Sequence, residues 1–310
     1  MVEIDLVYLW VDGNDPRWVE KRNACIGKPS GEEQNCEGRY AEHEELKYSL
    51  RSVEKYAPWI RKIFIVTDNQ TPRWLDTSNP KVQIVDHTEI MPPECLPCFN
   101  STVIHHCLHN IPSLSEHFLL ADDDMYLNRP VQPGTFFAED ALPIVRLSRR
   151  IFRRSYYFLK TKVLRQPLHN YLQQIHNSAL LVERRYGIYY TGKPHHNVDA
   201  YLKSTYQYTR ELFDKEISAT LRNHVRSSND LQRSLYSYVA LAEKRAHKVY
   251  VNQHTSFRLG IHKEKHYRRF KKYNPVFFCV NDSQYACDDD RKRAVAFLKE
   301  MFPNKSSFEK

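Results

Sequence analysis

Ile4 to Val11 is an almost unbroken β-branched and aromatic run that stops at Asp12-Gly13-Asn14-Asp15-Pro16. Apolar residues in series, rather than in alternation, predict a strand buried on both faces that enters a turn. The same signature recurs at Lys62 to Thr67, Val82 to Val85 and His117 to Ala121, followed by Asp68, Asp86 and Asp122-Asp123-Asp124. From 20 to 42, glycines, Pro29 and mixed charge break any period, which predicts a loop. Leu46, Leu50, Val53 and Tyr56 share one face of a predicted helix that Pro58 ends, and another helix is predicted near 100–110. This order predicts an α/β fold with a mostly parallel central sheet flanked by helices.

The second half reads as helix-rich and basic. Helices are predicted around 168–184, 197–213 and 229–248, the last capped by Ser228-Asn229-Asp230 and carrying Leu231, Leu235, Tyr238, Val239 and Ala242 on one side. Phe277 to Val280 predicts a short strand leading into Asn281-Asp282, with a final helix over 289–301. With no repeat or low-complexity linker, one catalytic domain over 1–310 is expected: an α/β core over 1–145, a helical basic elaboration over 146–272, and a strand and helix completing the core over 273–310.

Composition narrows the class. A chain that is 41% hydrophobic and 27% charged is neither disordered nor fibrous. Lys and Arg exceed Asp and Glu by 46 to 37, a formal charge of +9, which favours anionic ligands, polymers or membrane surfaces. Arg146, Arg149, Arg150, Arg153 and Arg154, and the basic stretch 258–272, are the patches that could hold a growing anionic polymer or lie on a membrane leaflet; solvated helix faces are the plainer alternative. No zinc-finger spacing or RNP-like strand points to nucleic acid, and none is expected. No apolar stretch of about 18 residues appears, and no basic leader precedes the first strand. The expected location is cytoplasmic, with peripheral membrane association left open. Oligomeric state is not legible. Cys25, Cys36, Cys95, Cys98 and Cys107 are read first as reduced structural thiols, with zinc or disulfide pairing as the alternatives.

Chemistry concentrates at the strand ends. Three adjacent carboxylates at the mouth of a buried strand are costly without compensation, and a hard divalent cation is the obvious partner. An acidic surface turn is the plain alternative. Asp12, Asp68, Asp86 and Asp122 to Asp124 all follow predicted strands, where ligands of parallel sheets collect.

Four blocks in order resemble the Stealth family of sugar-1-phosphate transferases, which includes bacterial capsule enzymes and the catalytic part of the lysosomal-enzyme GlcNAc-1-phosphotransferase. They are Asp5-Leu-Val-Tyr-Leu-Trp-Val-Asp-Gly-Asn-Asp-Pro16; Glu44-Glu-Leu-Lys-Tyr-Ser-Leu-Arg-Ser52 through Ala57-Pro-Trp59 and Ile65-Val-Thr-Asp68 to Asp123-Asp124; Pro194-His195 with Asp199; and Phe278-Cys-Val-Asn-Asp282 with Met301-Phe-Pro303. His224-Val-Arg-Ser-Ser-Asn-Asp-Leu231 resembles the family's arginine segment. Asp12 and Asp68 stand where some relatives have Asn. The resemblance implies a Rossmann-like or GT-A-like nucleotide-sugar core. It further implies transfer of a hexose- or N-acetylhexosamine-1-phosphate from a UDP-sugar, typically UDP-GlcNAc, to a glycan hydroxyl, with release of UMP. The acceptor could be a growing phosphodiester-linked polysaccharide.

On that basis Asp123 and Asp124, with Asn281 or Asp282, are the expected ligands of Mg²⁺ or Mn²⁺. His195 is the expected base or acid, with His196 as the alternative and Asp199 as an orienting group. Arg226 is expected to clamp the donor phosphates, seconded by Lys193. Asp12, Asp68 and Asp230 are further donor-site candidates, and Glu45 is expected to touch donor or acceptor. Solvated or capping roles are the ordinary alternatives for each. A glycosyltransferase making an unphosphorylated link and a non-catalytic polyanion-binding module are the rival functions; a nuclease is weaker, for want of a nuclease metal motif.

Overall fold

The buried apolar runs do form a parallel sheet. In the computed structural model, which describes residues 2–27 and 42–310, β1 (Ile4–Leu9), β2 (Ile63–Thr67), β3 (Val82–Asp86) and β4 (His117–Asp122) pair in parallel in the order β3-β2-β1-β4. Both faces are covered, as unbroken apolar strands require. Leu6, Tyr8, Ile63, Ile65, Leu119 and Ala121 face Leu46, Leu50 and Val53 of α2 (Glu45–Tyr56). Val7, Phe64, Val66, Phe118 and Leu120 face the other way, onto α6 (Asn170–Tyr186) and α9 (Ser234–Ala242).

Two departures change the site. The predicted helix over 197–213 divides into β8 (Asp199–Leu202), antiparallel to β4 at the sheet edge, and α7 (Lys203–Leu212). All four β8 residues are buried, and pairing with β4 on a strand covered on both faces overrides helix propensity there. The predicted helix over 229–248 shortens to α9, and β9 (His247–Tyr250) pairs with β6 (Ile144–Ser148), which also pairs with β7 (Lys193–Pro194). The elaboration is therefore not purely helical, and Arg146 is a buried strand residue, its guanidinium over Phe136 and Phe277.

A third sheet, β10 (Ser256–Gly260), β11 (Phe277–Asn281) and β5 (Met125–Leu127), packs Phe257, Phe278 and Val280 against α10 (Glu264–Tyr273) and α11 (Asp288–Met301). The expected loop over 20–42 is helical at its start, because Asp15 caps α1 (Pro16–Ile26) by accepting from Arg17 N, with Pro16 at the first turn. Residues 28–41, with Cys36, lie outside the described residues. Cys25, Cys95, Cys98, Cys107, Cys279 and Cys287 are free thiols. The remaining short helices are α3 (His87–Ile90), α4 (Ser101–His105), α5 (Arg153–Phe158) and α8 (Asp214–Leu221). Among the described residues, no helix is long and apolar enough to cross a membrane.

Candidate active site

Phe118 to Ala121 lock β4 between β1 and β8, so Asp122-Asp123-Asp124 leave the sheet at its carboxyl edge on fixed backbone. The chain then reverses into β5, and Val280 N donates to the Asp124 carbonyl oxygen at 2.9 Å. The 280s and the acidic triplet, remote in sequence, are thus joined.

Asp122 and Asp123, though adjacent, are pushed in opposite directions. Burial works against ionising Asp122, but Arg233 at 3.6 Å, His105 at 3.9 Å and His196 at 3.8 Å hold it well below the usual carboxylate range. Burial, then Asp124, Glu42 and Glu45, push Asp123 well above that range. Glu45 is raised to about 8, by burial and then Glu42; Glu42 is raised to about 7 by burial, although it accepts from Trp10 Nε1 at 2.8 Å. Asp124 accepts from His196 Nε2 at 3.3 Å, while its Oδ1 is buried without a hydrogen-bond partner. Crowded carboxylates and an orphaned oxygen are the environment a divalent cation stabilises. Asp124, His196 and Cys279 also place one ligand atom each within 4.8 Å of one another.

This crowding has a measurable consequence. Between about pH 5 and about 8 the folded chain holds protons on Glu45 and Glu42 that the unfolded chain has released, so stability falls as pH rises. Discounted for partial solvent screening, the loss is about 2 kcal/mol. In chelator the melting temperature is expected to drop across this window, and Mn²⁺ or Glu45→Gln to flatten the drop. Calorimetry with and without Mn²⁺ checks it; a flat profile in chelator would contradict it.

The histidines come from the turn after β7. Gly192 permits the close strand approach, since a Cβ there would lie 2.9 Å from Leu147 Cβ. His196, rather than His195, then faces the aspartates. Burial acts against protonating its ring, yet Asp124 and Asp122 hold its pKa above the usual value. His195 turns away to Ser256 Oγ at 2.6 Å, and burial, with His196 and Lys193 beside it, lowers its pKa to about 4. Asp199 orients neither ring. It lies buried 3.5 Å from Arg233, with its pKa raised to about 6 by burial.

The other sequence candidates are distributed as follows. Asn281 Oδ1 accepts from the Arg258 guanidinium, and Asp282 pairs with Arg291 at 2.9 Å, so these oxygens serve cations. Cys279, two residues earlier and therefore on the same face of β11, takes the place beside Asp124. Asp68 pairs with Lys21 at 2.6 Å, and Asp12 accepts from Asn14 N at 2.8 Å within its turn. Lys193 sits over the Tyr171 ring at 5.4 Å, its pKa lowered to about 8 by burial and then by Arg153, Arg258 and Arg150. Arg226 donates to Ser101 Oγ at 3.0 Å and lines a cavity of about 690 Å³ with Arg222, His224, Ser227 and Ser228.

Asp230 is structural rather than exposed to a donor. Fully buried, it accepts from Asn223 Nδ2 at 2.7 Å, Asn100 Nδ2 at 2.9 Å and Ser227 N at 2.9 Å. Asp230→Ala leaves these donors unpaired and is expected to lower stability by about 3 kcal/mol in chemical denaturation.

Glu42, His105, Arg233, Arg258 and Cys279 join the site without having been assigned a role in it from the sequence. Cys279 lay inside the block Phe278 to Asp282, Arg258 opened the basic stretch 258–272, and Arg233 is the lone charge in Leu231 to Ala242, whereas Glu42 and His105 carried no signal.

Comparisons with known proteins identify the family. Conserved region 1 of the Stealth proteins matches residues 2–29, and conserved region 2 matches 39–145. The capsular polysaccharide phosphotransferase WcwK of Streptococcus pneumoniae is 49% identical over 46% of this chain and 44% of its own. The receptor polysaccharide phosphotransferase WefC of Streptococcus gordonii is 33% identical, with 100% of each chain covered. LcbA of Neisseria meningitidis, a capsular polysaccharide phosphotransferase, is 31% identical over 97% of this chain and 83% of its own. Against several other curated relatives, WcwK among them, this chain spans about half their length. Among solved structures, the galactosyltransferase LgtC aligns over 98% of this chain and 96% of its own at 11% identity, with a TM-score of 0.44. With both conserved regions in place, WefC a third identical along its whole length and LcbA 31% identical over 83% of its own, the chain belongs to the Stealth family.

Proposed function

We propose that the protein transfers a hexose- or N-acetylhexosamine-1-phosphate from a UDP-sugar, UDP-GlcNAc foremost, to a glycan hydroxyl in capsule or cell-surface polysaccharide synthesis. In this proposal residues 1–310 form one catalytic unit whose parallel sheet is a GT-A-like nucleotide-sugar core. The observation that carries it is the acidic triplet at the carboxyl edge of that sheet, with His196 against Asp124 and cationic Arg258 beside it. Names of full-length relatives, all polysaccharide phosphotransferases, support the same chemistry.

Mg²⁺ or Mn²⁺, held by Asp123, Asp124 and Glu45, would neutralise the donor diphosphate and its developing charge. Asp124 fixes the His196 tautomer by accepting from Nε2–H, which leaves Nδ1 to take the proton of the acceptor hydroxyl. The acceptor oxygen bonds to the sugar-proximal phosphorus. The bond from that phosphorus to the bridging oxygen breaks, and UMP leaves with the electron pair. Arg258, exposed at the site, and Arg226, in its cavity, are the guanidinium groups for donor phosphates.

A UDP-sugar labelled at the β-phosphorus tests the reaction. Label retained in the glycan, with UMP as co-product, is the expected result. Release of label as UDP identifies the glycosyltransferase rival, and absence of turnover across a donor panel identifies the binding module.

A further inference from the structure

Between β6 and α6 the chain turns its apolar residues outward. Phe152 is 77% exposed, Phe158 63%, Ile151 60% and Val163 58%. The cause is one-sided anchoring. Arg153 and Tyr157, four residues apart on α5, are buried, and the Tyr157 ring meets His176 edge-on with centroids 5.1 Å apart. The exposed side carries Phe152, Tyr156, Leu159 and Val163, spaced i, i+4, i+7, i+11 from the N-cap of α5 through the π-helical turn Leu159–Val163 that continues it. Arg149, Arg150, Lys162 and Arg165 are exposed around it, and the sequence holds no Asp or Glu between Asp140 and Glu183.

We propose that residues 149–165 dock the protein on a bilayer surface that contains anionic phospholipid. Apolar side chains of this kind enter the headgroup boundary while flanking Lys and Arg meet lipid phosphates. An anionic polysaccharide would engage the cations but leave Ile151, Phe152, Leu159 and Val163 in water. A second copy bound isologously would set the same basic patch against itself, which charge repulsion opposes. Arg150 and Arg153 help, after burial, to depress Lys193, so this element lies near the turn that carries His195 and His196. Docking there holds the site at the surface, within reach of a glycan carried on a lipid. The inference stands apart from the phosphotransfer reading, because binding is measured without nucleotide sugar.

The full chain is sedimented with vesicles of phosphatidylcholine, alone or mixed with phosphatidylglycerol. Binding is expected to rise with phosphatidylglycerol and fall with salt. Lys162→Gln is expected to weaken it about fivefold, and combined Phe152→Ser, Leu159→Ser and Val163→Ser by at least about tenfold. These positions are exposed, so melting temperatures should be unchanged. In a separate variant, Val163→Trp should show blue-shifted emission on anionic vesicles. Three results overturn the proposal: equal sedimentation of wild type and triple variant, equal binding to phosphatidylcholine alone, or a dimer in light scattering that the triple variant dissociates without any vesicle binding.

Discussion

Asp124→Asn is expected to lower kcat by about 10³-fold or more, measured as UMP release from a UDP-sugar, while the protein stays folded. The substitution keeps the shape of the side chain and removes one negative charge. That charge is the one in contact with His196 Nε2, and its Oδ1 is the buried oxygen with no partner. Cation affinity and the orientation of His196 therefore fail together. Stability moves the other way. Asp124 is the second cause, after burial, of the raised Asp123 pKa, so neutralising it relieves repulsion between adjacent carboxylates. A melting temperature equal to or above that of the wild type, with activity lost, is the expected pair of results in chelator. This is the pattern of a site that trades stability for chemistry. UMP release within about tenfold of the wild type would remove Asp124 from the machinery.

The parts of the site that were legible in the sequence are those whose chemistry conflicts with their neighbours. Three aspartates after Phe118-Leu119-Leu120-Ala121 stand out because carboxylates do not belong at the mouth of a buried strand without compensation. β1, β2 and β4 were legible for the related reason that unbroken apolar runs fit only a sheet covered on both faces. β8 was not, since Asp199 to Leu202 run straight into α7 with no glycine or proline to mark the change. Asp15-Pro16 was read as the end of a turn, although the same pair starts α1.

Cys279 and Arg258 depended on pairing. Arg258 lies opposite Cys279 in the β10–β11 register, and Cys279 opposite Met125 in β5. Nothing in the local sequence states that register. It is set by Phe257, Phe278 and Val280 packing on α10 and α11, a tertiary choice that carries every alternate residue to the opposite face. Asn281 does end a strand, β11, on the same face as Cys279. What changed is the occupant beside Asp124, because Arg258 takes up the Asn281 oxygen.

The adjacent histidines give the sharpest separation. His196→Ala is expected to lower kcat by about 10²- to 10⁴-fold, the range for loss of a positioned base, with Mn²⁺ affinity unchanged. His195→Ala, which removes a ring bonded to Ser256, is expected to cost less than about tenfold. Asp124 and Asp122 raise the His196 pKa above 6.5, so the wild-type kcat/KM should climb with pH through an acid limb above that value. The sign follows from the role: a base must be neutral to accept a proton, so activity is low where the ring is already protonated. The limb should persist in the His195→Ala variant and vanish in His196→Ala. Parallel loss of Mn²⁺ affinity and kcat in His196→Ala would instead make His196 a ligand beside Asp124 and Cys279, an arrangement their 4.8 Å grouping also permits. Titrating Mn²⁺ against both variants by calorimetry, alongside the pH–rate profiles, distinguishes a proton acceptor from a ligand at that atom.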